Sequence, residues 1–320
     1  MPVDTCWVIT DGKPGMENQC LGLAEALGVE PVVKRVALRS PWRQLSPYFR
    51  SFLRQAMAPG SDLIRPPWPD LVISSGRQSI PPALAAKRSS RNRTFVVQIQ
   101  DPVIGPEHFD MVVVPQHDRA RGENVFRAFG SMHQVTPARL AEAAARHRDR
   151  LSHLPEPRIA VLIGGDNSVY RLTPALMRDL AAKLAGLVEH NGAGLMITPS
   201  RRTGAANEEI LRETLAGLPA EIWDGTGENP YFAYLGLADA IIATCDSVNM
   251  VSEAASTGKP LHIVHLEGGS TKFTAFHDSM TAAGITRPFT GALESWTYQP
   301  PDDTARAAAE IRRRLAARSA

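Results

Sequence analysis

The chain has 320 residues, 43% hydrophobic and 21% charged, the composition of an ordinary folded protein and a length that favours two cores over one. No apolar run approaches the ~20 residues that cross a bilayer, and Met1-Pro2-Val3-Asp4-Thr5-Cys6 carries no basic stretch of the secretory kind, so neither a membrane span nor an export signal is expected. The net charge of +2 hides an asymmetry: residues 1–150 hold 20 Lys/Arg against 14 Asp/Glu, and the remainder holds 15 against 19, which points the first half towards something anionic.

In chain order, Cys6–Thr10 reads as a short apolar strand and Asp11-Gly12-Lys13-Pro14-Gly15 as a turn. Met16–Leu27 sets Cys20, Leu23, Ala24 and Leu27 at helical spacing, and Gly28 stops it. Pro31–Leu38 is a predicted strand and Pro47–Met57 a predicted helix. Between Pro31 and Ser61 there is no acid, whereas Lys34, Arg35, Arg39, Arg43, Arg50 and Arg54 interleave with Trp42, Tyr48, Phe49 and Phe52. Asp70–Ser74 is a strand that opens through Ser75-Gly76-Arg77 into a helix ending near Lys87. Thr94–Gln100 and Phe109–Pro115 are further strands. Strands separated by helices call for a parallel sheet with both faces covered.

Pro137–Arg150 is a helix rich in Arg and Ala, and 152–158, with Pro155 and Pro157, reads as a linker. The pattern then restarts. Ile159–Ile163 is a strand followed by Gly164-Gly165-Asp166-Asn167, and Thr173-Pro174 caps a helix running to about Asn191. Gly194–Thr198 is a strand ending in Pro199-Ser200-Arg201-Arg202-Thr203. Glu208–Leu218 and Tyr231–Leu237 are helices, with the short strand Glu221–Trp223 between them. The apolar run Ala238–Cys245 is a buried strand, a helix follows from Asp246 to Gly258, Leu261–Val264 is a strand, and Asp302–Arg318 closes the chain with a basic stripe including Arg306 and Arg313. The expected fold is α/β: two Rossmann-like parallel-sheet domains facing across a cleft. Residues 1–151 form the first, 152–158 the linker and 159–300 the second, and 301–320 is a helix packing back on the first.

Polar clusters fall where the strands end, the place where open parallel sheets hold ligands. In the second half these are Gly164, Gly165, Asp166 and Asn167; Ser200, Arg201 and Arg202; and Asp246, Ser247, Asn249 and Glu253. A strand that feeds a helix N-terminus suits an anion, and a carboxylate two turns on suits a pair of sugar hydroxyls. Together they predict a site for the nucleotide sugar: diphosphate at the helix start and the two arginines, ribose at Glu253. The plainer readings stand beside this: Asp246 or Ser247 as helix caps, Gly164-Gly165 as an ordinary turn, the arginines and Glu253 as solvated side chains. In the first half the cleft residues are Asp11, Lys13, Gly15, Gln19, Gly76, Arg77 and Asp101. Asp11 is the candidate general base, its plainer reading being a turn-forming aspartate. Neither GxGxxG nor GxxxxGK[ST] occurs, and Ser74-Ser75-Gly76 lacks the Gly-x-Ser-x-Gly elbow. His262 and His265 would point to opposite faces of a strand, so no metal site is expected.

With these blocks in order, the sequence resembles the "elongated mitochondria" fission family of plants and its bacterial relatives. The blocks are Asp11–Gly15 with Gln19, Pro69–Arg77, Gln98–Pro102, Phe109-Asp110 with Pro115–Asp118, Gly164–Asn167, Thr198–Thr203, Asn229-Pro230-Tyr231 and Asp246–Pro260. The second half is also similar to the donor domain of GT-B glycosyltransferases, especially the type that adds N-acetylglucosamine to a lipid-linked peptidoglycan precursor. That resemblance implies a ribose role for Glu253 and sets Gly269 and Ser270, after Leu261–His265, near the donor sugar. The first half departs from that group, because Thr10–Gly15 stands where a Gly-rich loop bearing a histidine belongs.

Three functions follow as expectations. The first is a metal-independent glycosyltransferase with a nucleoside-diphosphate sugar as donor substrate and no cofactor. Its acceptor is unassigned, a lipid-linked or envelope glycan being one option. The second is a non-catalytic adaptor, since the resemblance implies recruitment of a dynamin-like GTPase in the plant relatives. The third is a nucleotide-sugar 2-epimerase. The scattered cysteines Cys6, Cys20 and Cys245 read as buried thiols of the cytoplasm. Segment 31–61 predicts attachment to an anionic membrane surface on the inner face, or else a solvated helix face over core aromatics. No nucleic acid partner is expected.

Overall fold

The computed structural model describes residues 3–49, 52–116 and 118–319; Arg50 of the basic segment and His117 lie outside them. The chain divides into two units, one of residues up to Gln134 together with those from Asp302 onward, the other Val135–Pro301.

In the first unit, β1 (Cys6–Thr10), α1 (Pro14–Leu27), β2 (Pro31–Arg35), α2 (Trp42–Leu45), α3 (Leu53–Ala56), β3 (Leu71–Ser75), α4 (Ile80–Ser89), β4 (Phe95–Ile99), β5 (Met111–Pro115) and β6 (Val125–Ala128) follow in order. The six strands form one parallel sheet ordered β2-β1-β3-β4-β5-β6. Strand β1 is buried throughout and shows no polar alternation, because helices cover both its faces. Cys6 and Val8 face one core with Leu23 of α1, whereas Trp7 and Ile9 face the other with Ala83 and Leu84 of α4. Pro14 opens α1 and Gly28, at φ 74°, closes it in the left-handed conformation.

The second unit holds α5 (Pro137–His147), β7 (Arg158–Ile163), β8 (Tyr170–Arg171), α6 (Pro174–Asn191), β9 (Gly194–Pro199), α7 (Ala205–Thr214), β10 (Ala220–Ile222), α8 (Tyr231–Leu237), β11 (Ala240–Thr244), α9 (Val248–Ala255), β12 (Leu261–Val264), β13 (Glu267–Gly268), α10 (Thr271–Ala282) and β14 (Thr286–Pro288). Its parallel sheet runs β10-β9-β7-β11-β12-β14, and β8 pairs antiparallel with β13. Thr136, Thr173, Ser247 and Ser270 cap α5, α6, α9 and α10 with side-chain oxygens. The closing helix α11 (Asp303–Ser319) belongs to the first unit: Ala307, Ala308 and Ile311 enter the core with Leu23. Its basic stripe is partly spent within the helix, on Arg306–Asp303 and Arg313–Glu310 pairs.

Several expectations shift. Helix α5, expected in the first domain, lies in the second unit, where Arg139 sits 5.2 Å over the Phe232 ring of α8 and Arg146 pairs with Glu228. The stretch expected as a linker is part of the second unit's packing: Leu154 is buried, and a Cβ on Gly194 would lie 2.6 Å from the Pro155 carbonyl. No single helix spans Pro47–Met57. Ser46 ends α2 in an extended conformation, as a residue before proline prefers, and α3 begins only after Phe52, at φ 62°. Strand β2 stops at Arg35, and Leu38 instead bridges Met57.

Candidate functional site

Both sheets have a topological switch, where successive crossovers leave in opposite directions and open a crevice at the carboxyl ends of two neighbouring strands. In the second unit the switch lies between β7 and β11. The loops that leave these two strands are Gly164–Asn167 and Cys245–Ser247.

Asp246 organises this point. Its side chain has no exposed surface and lies 2.7 Å from the Arg202 guanidinium. Thr244 Oγ1 donates to Asp246 Oδ1 at 2.6 Å, and the Gly165 N–H donates to Oδ2 at 3.1 Å. The Gly164 N–H donates to Thr244 Oγ1, and Asn167 Nδ2 donates to the Asp246 carbonyl. The third loop joins through Ser200 Oγ, 2.9 Å from the Gly164 carbonyl, and through Arg202 Nη1, 3.2 Å from the Gly165 carbonyl. The two glycines are required sterically. A Cβ on Gly164 would lie 2.2 Å from the Asp246 carboxylate, and one on Gly165 would lie 2.0 Å from the Arg202 carbonyl. Asp166 and Asn167 shape the loop, accepting N–H bonds from Leu172 and from Val169 and Tyr170 respectively.

The sequence-predicted donor residues thus do not act as one group. Gly164, Gly165, Asn167, Ser200, Arg202 and Asp246 form one internal network. Ser247 caps α9, its Oγ accepting from the Met250 N–H. Arg201 instead is exposed and, among the described residues, has no acidic partner. It borders a hollow of about 420 Å³ beyond the ends of β9 and β10, lined also by Ser200, Trp223, Asp224, Tyr231 and Met250. Glu253 stands behind this wall: Tyr231 Oη donates to Glu253 Oε2 at 2.7 Å. Burial raises the Glu253 pKa to about 7, and the Tyr231 hydrogen bond opposes that rise. Trp223, Asp224 and Tyr231 were not expected among the site residues. Their signal was positional, because β10 ends at Ile222 and the Asn229-Pro230-Tyr231 block follows directly.

Gly269 and Ser270 lie beside β8: the Gly269 N–H donates to the Val169 carbonyl, a Cβ on Gly269 would lie 3.7 Å from the Tyr170 ring, and Ser270 caps α10. Lys259, just past α9, is also structural. Its Nζ donates to the Leu235 and Gly236 carbonyls at the end of α8, and burial lowers its pKa to about 8.

In the first unit the switch lies between β1 and β3, and it brings Asp11 to Gly76: a Cβ there would be 3.9 Å from Asp11 Oδ1. The Asp11 side chain is nearly closed to solvent and pairs with Lys13 Nζ at 2.7 Å. Gln19 Nε2 donates to the Gly15 carbonyl. Arg77 turns away, its Nη2 donating to the Gln44 carbonyl, and Asp101 accepts the Val103 N–H in an exposed turn. A larger hollow of about 720 Å³, bordered by Trp68, Arg93 and Leu315, lies at the opposite, amino-terminal ends of β3 and β4 and shares no residue with either switch. His262 is buried and His265 exposed, and among the described residues no group of three His, Cys, Asp or Glu side chains is placed to hold a metal ion. Cys6, Cys20 and Cys245 are free and buried.

Two parallel-sheet units built this way define a GT-B-like α/β fold, and solved structures share it. The UDP-GlcNAc 2-epimerase of Methanocaldococcus jannaschii superposes with a TM-score of 0.61 at 12% identity, covering 98% of this chain and 99% of that one. MurG of Acinetobacter baumannii gives 0.50 at 15% identity, covering 98% and 91%. The chain belongs to the mitochondrial fission ELM1 family, whose sequence profile matches residues 14–315. The mitochondrial fission protein ELM1 of Arabidopsis thaliana is 31% identical over 389 residues, covering 97% of this chain and 91% of the relative. An uncharacterized protein of Rickettsia prowazekii (strain Madrid E) is 26% identical over 349 residues, covering 95% and 96%.

Proposed function

We propose that the second unit binds a nucleoside-diphosphate sugar and that the protein is a glycosyltransferase of the GT-B type. The observation that carries this reading is the hollow beyond β9 and β10, with Arg201, a guanidinium without an acidic partner among the described residues, at one side and Tyr231, which holds Glu253 behind it, at another. Trp223 offers a flat face for a nucleobase, Arg201 a fork for the diphosphate, and the Glu253 carboxylate, reached past Tyr231, is the proposed acceptor for ribose hydroxyls. A structure of the M. jannaschii epimerase in complex with UDP-GlcNAc and UDP shares the fold, with a TM-score of 0.56. In transfer, Arg201 would stabilise the departing diphosphate.

A second reading is favoured by a specific observation. Asp11 and Arg202 are both tied to partners of opposite charge, which suits a protein that keeps the fold as a binding surface without turnover. A thermal-shift panel of nucleoside diphosphates and their sugars tests the binding. A ligand at ~100 times its dissociation constant adds about 2.7 kcal/mol of stability. Silence across the whole panel overturns the proposal, whereas stabilisation without release of nucleoside diphosphate in the presence of glycan acceptors selects the adaptor.

A further inference from the structure

A different part of the first unit carries an inference that does not rest on the nucleotide reading. We propose that residues 39–49 and 52–56 form an attachment surface for an anionic lipid bilayer. The segment is a closed excursion: Leu38 bridges Met57, the Arg39 N–H donates to the Ala56 carbonyl, and the Ala58 N–H donates to the Ala37 carbonyl. From this base the chain extends a run of apolar side chains into solvent, with Leu45 52%, Tyr48 62% and Phe52 68% exposed. Val32 at 54% precedes it in the chain and Leu63 at 61% follows it; elsewhere among the described residues, Val103 is the remaining exposed large hydrophobic. Such a concentration is not the scatter of single apolar residues that surfaces ordinarily show.

Phe52 adds a second observation. It sits at φ 62°, a left-handed conformation that costs a bulky residue about 1 kcal/mol or more, and the cost serves no core contact. The third is charge. No acid occurs from Pro31 to Ser61, and Arg43 and Arg54 are exposed without an acidic partner among the described residues. Aromatic and leucine side chains set between unpaired arginines match the boundary of a negatively charged bilayer, where the apolar groups enter the acyl region and guanidinium groups remain at the phosphates.

The excursion is fastened to the turn that follows β3, the strand beside β1 at the switch. Ser46 Oγ donates to the Arg77 carbonyl at 2.7 Å, Arg77 Nη2 donates to the Gln44 carbonyl at 3.2 Å, and the Leu38 N–H donates to Gln78 Oε1 at 3.0 Å. Arg77 follows Gly76, where an added Cβ would lie 3.9 Å from Asp11 Oδ1. A bilayer held by this surface therefore lies near the β1–β3 switch.

Co-sedimentation of the full chain with vesicles of phosphatidylcholine alone, and of phosphatidylcholine mixed with phosphatidylglycerol, tests this. Binding is expected to the anionic vesicles and to fall with added salt. Each of Arg43→Gln and Arg54→Gln should lower the partition coefficient about fivefold. Tyr48→Ser with Phe52→Ser should weaken binding at every salt concentration, with an unchanged melting temperature because both side chains are exposed. Equal binding to both vesicle types, or binding indifferent to all four changes, overturns the proposal. A shift from dimer to monomer in these variants without loss of vesicle binding does so too, since the surface would then join two copies. An environment-sensitive dye on Tyr48→Cys gives an independent reading: its emission should move to the blue with anionic vesicles, and an unmoved emission counts against the bilayer.

Discussion

Arg202 and Asp246 close an ion pair at 2.7 Å in which the carboxylate is wholly shut from solvent, while Arg201, next in the chain, stays exposed. The two arginines therefore separate experimentally. Arg202→Met leaves a buried, uncompensated carboxylate and should cost about 2 kcal/mol, less than a fully buried pair because Arg202 is itself partly exposed. Arg201→Met should change stability by no more than ~0.5 kcal/mol yet weaken a nucleoside diphosphate about tenfold. Paired melting and titration curves on both variants check the split.

Gly165→Ala is expected to be as damaging as the loss of the pair. The added methyl would lie 2.0 Å from a backbone carbonyl that cannot swing aside, at φ 155°. A loss of about 2 kcal/mol or more is expected, with the nucleotide affinity falling alongside it. A Gly165→Ala protein that melts like the parent would show that the loop yields easily.

Glu253 should make ligand binding depend on pH. Its carboxyl is raised from an ordinary value of 4.5 to about 7, chiefly by burial. The folded chain then binds more protons than the unfolded one between these values, so the group's contribution to stability is complete below about pH 4.5 and is lost as pH rises through 7. Ribose hydroxyls donate to the ionised form, so affinity should run the other way, rising about tenfold from pH 6 to pH 8. Glu253→Gln should flatten that rise. Tyr231→Phe removes the bond that holds the pKa down, and should move the midpoint of the affinity profile upward. Calorimetric titration across this range gives both results.

Lys259 provides a contrast on the alkaline side. Burial depresses its ammonium from 10.5 to about 8, so its contribution to stability is full above about pH 10.5 and is lost as pH falls through 8. Lys259→Met should abolish that slope and lower the melting temperature, since the Leu235 and Gly236 carbonyls lose their donor. Nucleotide affinity at neutral pH should hardly change, which denaturation curves and titration on one sample can verify.

The sequence carried the architecture because the strands are buried on both faces and need no partner to be recognised: CWVIT and AIIAT read as strands wherever they occur. It carried the Gly164–Asp246 meeting less directly, through residues 82 positions apart whose only common signal is standing at strand ends. What stayed hidden depended on tertiary choice. The 39–56 excursion has helical composition, yet Pro47 and the fastening to Arg77 break it into single turns. The hollow's far wall was equally hidden, because Trp223 and Asp224 become site residues only when β10 pairs outside β9. Helix α5 changed units because its Arg139 and Arg146 find Phe232 and Glu228, which periodicity does not encode.

The strand order of the two sheets has a further consequence. On one side of β7 the second sheet has two strands, β9 and β10, whereas the first sheet has β2 alone beside β1. That additional strand delivers Trp223 and Asp224 to the hollow, so under the proposed nucleotide reading base preference would be set by a short cassette between β10 and α8, apart from the Gly-Gly junction that keeps the unit together. Exchanging residues 223–229 among relatives would then retune which nucleotide is chosen while leaving the scaffold intact.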